Sequence, residues 1–143
     1  MNKISSQQLV VRGKFIIVTI MRFTLDRHST ANLITYVGIE GIRIGQTRIE
    51  QSVIVSATDL IADWPVRHFR GLDLESLAPA LALAPEILIL GTGDRIQFPA
   101  SALYAQLAAR GIGLDVMDTA AACRTYNVLV NDQRPVVAAL ILP

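Results

Sequence analysis

Residues 86–94 read EILILGTGD and residues 112–130 read IGLDVMDTAAACRTYNVLV, and how these stretches fold decides the architecture. The run 86–90 (EILIL) is apolar without alternation, the pattern of a strand buried on both faces, and Gly91-Thr92-Gly93 ends it. Residues 112–117 form a second such strand. Between them Pro99 opens a helix in which Ala100, Leu103, Tyr104 and Leu107 share one face, and Gly111 stops it. Asp118-Thr119 caps a further helix running to about Val130. Residues 136–142 supply a last apolar strand. Two buried strands joined by a helix require a right-handed parallel crossover, with helices covering both sheet faces.

Upstream the rhythm is antiparallel. Residues 33–37 are a short β-prone run ending at Gly38. Ile42, Ile44 and Ile49 interleave with Arg43 and Arg48 around the two-residue turn Gly45-Gln46, the chemistry of a tight hairpin. The isoleucines should face a core and the arginines water. Residues 52–57 continue as a buried strand, with Val53 and Val55 on one face. Residues 58–71 lose periodicity and read as a long connection. Within it, Trp64-Pro65 is either a partner anchor or a tryptophan folded over the sheet edge. Asp73 can cap a helix carrying Leu74, Leu77, Ala78 and Leu81, although Pro79 forces it to kink or to start late, at Ser76. The fold class is therefore α/β. One domain over 21–143 holds a mixed sheet, with a parallel crossover in its C-terminal half and an N-terminal antiparallel hairpin.

Composition bounds what such a chain can do. Its 143 residues are 52% hydrophobic and 17% charged, which excludes intrinsic disorder and suffices for one packed core. The single cysteine, Cys123, fits a reducing compartment and so a cytoplasmic protein. No apolar run is long enough for a transmembrane segment. The 13 basic and 12 acidic residues leave a net charge of +1, which makes no case for nucleic acid. That sum conceals a split. Lys3, Arg12 and Lys14 stand without an acid in residues 1–20, giving +3, while the remainder carries −2. Residues 1–20 read as an N-terminal extension upstream of a start at Met21, as an added first strand over 15–20, or as a transit peptide that would make the protein mitochondrial. A chain beginning at Met21 is expected to fold.

In open α/β sheets, ligands favour the crevice beyond the carboxyl ends of parallel strands. Two such ends are identifiable here: Gly91, Thr92 and Gly93 after one strand, and Asp118-Thr119 after the next. If the strands are neighbours, their loops face one depression. GTGDRIQ lacks the Lys-Ser/Thr of a phosphate loop and the third glycine of a dinucleotide fingerprint, so a strained strand exit accounts for it equally. Asp118-Thr119 also serves as a plain helix cap. Cys123, near a helix start and beside Arg124, has the setting of a lowered thiol pKa, but it also sits in the alanine run of a packed helix face. Arg124, Thr125, Tyr126 and Asn127 form the densest polar cluster of the C-terminal half, where arginine can hold a carboxylate or phosphate. No catalytic residue is assigned. Two histidines and one cysteine show no metal-ligand spacing, and no cofactor is called for.

Taken in order, ILILGTGDRIQFP, ARGIGLDVMDTAAACRTYNVLV and VVAALILP resemble a widespread family of small uncharacterised proteins. The family includes a mitochondrial factor that assembles respiratory complex I, the NADH dehydrogenase alpha-subcomplex assembly factor three. The likeness runs from about Arg22 to Pro143 and takes in RIGQTRIEQSVIV and the ADWPV segment; residues 1–20 fall outside it and Pro79 departs from it. The resemblance implies a three-layer fold around a central mixed sheet and no settled activity. Its matching positions are Gly91, Thr92, Gly93, Asp118, Thr119, Cys123, Arg124, Thr125, Tyr126 and Asn127. Two functions are expected, the first from the resemblance and the lack of a catalytic constellation, the second from the strand-end loops. One is a non-catalytic protein-binding or assembly-factor-like domain with a protein partner. The other is a small-molecule-binding protein or enzyme, its site between the Gly91–Gly93 loop and the Asp118-Thr119 helix start.

Overall fold

A computed structural model describes residues 30–142. The basic stretch 1–20 and the strand expected over 15–20 lie outside the described residues.

The first sheet is antiparallel, in the order β1 (Ile34–Gly38), β2 (Gly41–Ile44), β3 (Thr47–Ile49). Ile42, Ile44 and Ile49 are buried and Arg43 and Arg48 exposed, as their alternation requires. Gly45 opens the turn with φ 58°, a conformation open to glycine at little cost. Arg43 and Arg48 stand directly opposite each other, a like-charge pairing that costs stability. Arg48 offsets it by reaching Glu40 at 2.8 Å and Glu50 at 2.9 Å. The expected hairpin thus supplies two strands, β2 and β3, of a three-stranded sheet, β1 being added through Val37 opposite Ile42.

The second sheet holds β4 (Val53–Ser56), β5 (Leu60–Ile61), β6 (Ile87–Gly91), β7 (Gly113–Met117) and β8 (Val136–Leu140), in the order β5-β4-β8-β6-β7. β6 runs parallel to both β7 and β8, whereas β4 is antiparallel to β5 and β8. β8 therefore joins an antiparallel half to a parallel half. All four residues of β4 are buried, so both of its faces are covered, as a buried strand there requires. Residues 58–71 also depart from a bare connection. Ser56 N–H donates to Asp59 O at 2.9 Å, closing a turn that returns Leu60 and Ile61 alongside β4 as the short edge strand β5.

Helix α1 is confined to Ala78–Leu81, with Pro79 inside its first turn, where the missing N–H has no intrahelical role. Asp73 instead caps the turn before it, accepting from Ser76 N–H at 2.9 Å and Ser76 O–H at 2.8 Å. These bonds favour the ionised carboxylate and hold the Asp73 pKa below its ordinary value. Helix α2 spans Ser101–Ala108 and α3 spans Thr119–Asn131. Asp118 starts α3 by accepting from Ala121 N–H at 2.8 Å.

Alternation along the strands sorts the layers. Leu88 and Leu90 of β6 and Val137 and Ala139 of β8 share a core with Leu77, Ala80, Leu103 and Leu107, which places α1 and α2 on one face. Trp64 closes that core: it is 2% exposed and donates its indole N–H to Ser76 O at 2.9 Å, so it is an internal side chain and not an exposed anchor. The other face, carrying Ile89, Ala138 and Leu140, takes α3 through Ala122, Cys123 and Tyr126. The domain is three-layered around a central mixed sheet.

Candidate functional site

The carboxyl ends of β6 and β7 do lie side by side, because those strands pair in parallel from Ile87 opposite Gly113 to Gly91 opposite Met117. Their loops are laced together by hydrogen bonds. Thr92 N–H donates to Met117 O at 3.0 Å and Thr119 N–H donates to Gly93 O at 2.9 Å. The Thr119 hydroxyl accepts from Gly93 N–H at 2.8 Å and donates to Ile141 O at 2.8 Å. One side chain thereby ties together the exits of β6, β7 and β8. Gly91 permits this approach: a β-carbon there would stand 3.0 Å from Thr119 Oγ1 and 3.1 Å from Leu140 Cδ2. Gly93 has a different reason, its φ of +100°, in open space.

Thr92 organises the segment between β6 and α2. Only 3% exposed, it donates its hydroxyl to Arg95 O at 2.6 Å and accepts Gln97 N–H at 3.1 Å. Residues 95–97 are held by this bond pair, and Ile96 and Phe98 are turned outward, 47% and 67% exposed.

The remaining expected residues separate along α3. Cys123 is 1% exposed, and burial pushes its thiol up to about 12, opposite to what a reactive thiolate needs. Arg124 is exposed, and among the described residues it makes no ion pair with Asp118 or Asp94. Thr125 is half-buried. Tyr126 is fully buried; its hydroxyl donates to Asn32 O at 2.7 Å, and burial raises its pKa. Asn127 acts as a piece of β-strand. Its Oδ1 accepts from Ile34 N–H at 2.9 Å and its Nδ2 donates to Ile34 O at 2.7 Å, fastening β1 to α3. The polar ends of Tyr126 and Asn127 are thus committed to Asn32 and Ile34, at the entry to the first sheet.

An open cleft does occur beside the carboxyl ends of β6 and β8. Its volume is about 560 Å³, and Thr92, Gly93, Gln97 and Ile141 form one side of it. Arg67, His68, Phe69 and Arg70 form the other. These four residues belong to the stretch whose sequence reads as a plain connection. The signal that could have found them is RHFR itself, three side chains with basic nitrogens around an aromatic in a domain otherwise net acidic. No group of His, Cys, Asp and Glu among the described residues could hold a metal ion. No helix among them is long and apolar enough to cross a membrane.

Similarity to known proteins agrees with this fold. A family model described as "Protein of unknown function (DUF498/DUF598)" matches residues 34–141. The chain is 40% identical over 85 residues to the NADH dehydrogenase (ubiquinone) 1 alpha subcomplex assembly factor 3 of Xenopus tropicalis, covering 58% of this chain and 46% of that protein. It is 33% identical over 90 residues to a 13 kDa major membrane protein of Francisella tularensis, covering 62% and 73%. A crystal structure of a Bordetella parapertussis protein superposes with a TM-score of 0.74 at 35% identity, covering 78% of this chain and 96% of that one. The chain spans about half the length of the assembly factors that it matches. With the family model matching from β1 to the residue after β8, the chain belongs to the DUF498/DUF598 family.

Proposed function

We propose that the chain is a non-catalytic protein-binding domain that helps assemble a multisubunit complex, respiratory NADH dehydrogenase being the complex that its named relatives point to. One observation carries the reading: Ile96 and Phe98 are presented to solvent on a segment that Thr92 ties back at Arg95 O and Gln97 N–H. Apolar and aromatic side chains fixed in advance lose little conformational freedom on binding, which is how interface anchors gain affinity. The sealed Cys123 and the laced β6 and β7 exits support binding over covalent catalysis. The test uses the host organism. Deleting the gene should lower fully assembled NADH dehydrogenase on native gels of its membranes. Wild-type protein should restore the complex, and a folded I96D/F98D variant should not. An unchanged level of the complex after deletion, or full rescue by the variant, overturns the proposal.

A further inference from the structure

The cleft beside Thr92 and Gly93 has a chemistry that protein binding through Ile96 and Phe98 does not use. Arg67 and Arg70 both line it, with His68 between them in sequence, and neither arginine has a carboxylate within ion-pair distance among the described residues. Arg48, in contrast, takes two glutamates. Asp73, the nearest acid in sequence to this stretch, already accepts two bonds from Ser76.

The backbone carrying the arginines is held from both ends. Trp64, three residues before Arg67, is buried and bonded to Ser76 O. Leu72 N–H donates to Phe69 O at 3.1 Å, closing a turn around Arg70. The two arginines are thus set on an anchored loop beside a concavity that Phe69 and Ile141 line with apolar surface. Gln97 lines the cleft as well, its side-chain amide donating to Thr92 O at 3.5 Å. Neighbouring unpaired guanidinium forks hold an oxyanion well, and an apolar lining favours a hydrocarbon portion. The volume lies in the range of small-ligand pockets, and the place, beyond the carboxyl ends of two parallel strands, is where α/β sheets bind ligands.

We propose that this cleft binds an oxyanion, a phosphate monoester or a carboxylate, carried on a short apolar body, with Arg67 and Arg70 as the anion clamp. The probes are hexyl phosphate, hexanoate and neutral hexanol, titrated into isotope-labelled full-length protein and followed by amide resonances. Both anions should move the signals of residues 67–70, 92–97 and 141. The tighter of the two identifies the head group. Hexanol should bind at least about tenfold more weakly, and R67Q/R70Q should weaken the anions by about tenfold. Both arginines are exposed, so the variant should keep its fold, which its unchanged spectrum away from the cleft verifies. Hexanol binding as tightly as the anions, anion shifts confined to other surfaces, or a folded R67Q/R70Q of unchanged affinity overturns the proposal. None of these readings depends on complex assembly.

Discussion

Replacing Thr119 by valine tests whether the lacing of the strand exits is what holds the C-terminal half together. The side chain is 5% exposed and its hydroxyl makes two hydrogen bonds, from Gly93 N–H and to Ile141 O, both at 2.8 Å. Valine keeps the volume, so no cavity forms, but a half-buried donor, Gly93 N–H, and a buried acceptor, Ile141 O, lose their partner. Each such loss costs about 1–3 kcal/mol. Local relaxation recovers part of it, so the expected destabilisation is about 2–4 kcal/mol, or a fall in Tm of roughly 6–12 °C for a domain of this size. Urea unfolding followed by circular dichroism reads the first figure and thermal unfolding the second. Amide exchange at Gly93 should quicken at the same time. Serine keeps the hydroxyl and loses one methyl, so T119S should cost only about 1 kcal/mol. A valine variant within about 0.5 kcal/mol of wild type, or a serine variant as damaged as the valine one, refutes the reasoning.

Three further outcomes are expected. N127A removes both bonds to Ile34 and should cost about 1–3 kcal/mol, with faster amide exchange at Ile34 and little change in β6. The Cys123 thiol titrates at about 12 in the fold against an ordinary value of 9.0, so the unfolded chain releases its proton first. Stability is then full below pH 9 and falls as pH rises toward 12; C123A should flatten that slope, and iodoacetamide at pH 8 should label the folded protein far more slowly than the chain in urea. G91A should cost about 1–3 kcal/mol through crowding against Thr119 and Leu140, and G93A about 1–2 kcal/mol through backbone strain alone, both read from urea midpoints.

What the sequence made legible were features set by near neighbours. Asp118 starts α3 because its carboxylate needs only the N–H three residues on, and the Ile42, Ile44 and Ile49 face needs only the turn at Gly45. Pro79 likewise limits α1 from within its own first turn. The parts that escaped depend on distant partners. β5 is two residues whose strand character comes entirely from lying along Ile54 and Val55. The burial of β4 depends on residues from later in the chain, Ile54 being covered in the core that holds Trp64, Leu77 and Ala80. Asn127 looks like a solvated helix residue until Ile34 is brought against it. The 67–70 stretch has no periodicity to read, since its position over the Thr92 loop is fixed by the burial of Trp64 and not by any pattern of its own.

The position of β8 bears on how the protein folds. Residues 53–56 find their partners at 137–140, and β6 pairs with the same strand on its other side. Until that late segment docks, β4 and β6 each present an open row of unpaired N–H and C=O groups flanked by apolar side chains. Those are the conditions that promote intermolecular strand pairing. Contacts of such long sequence separation also slow the search for the native arrangement. A chain arrested before residue 136 should aggregate during synthesis, which makes the VVAAL strand the step on which recovery of folded protein depends.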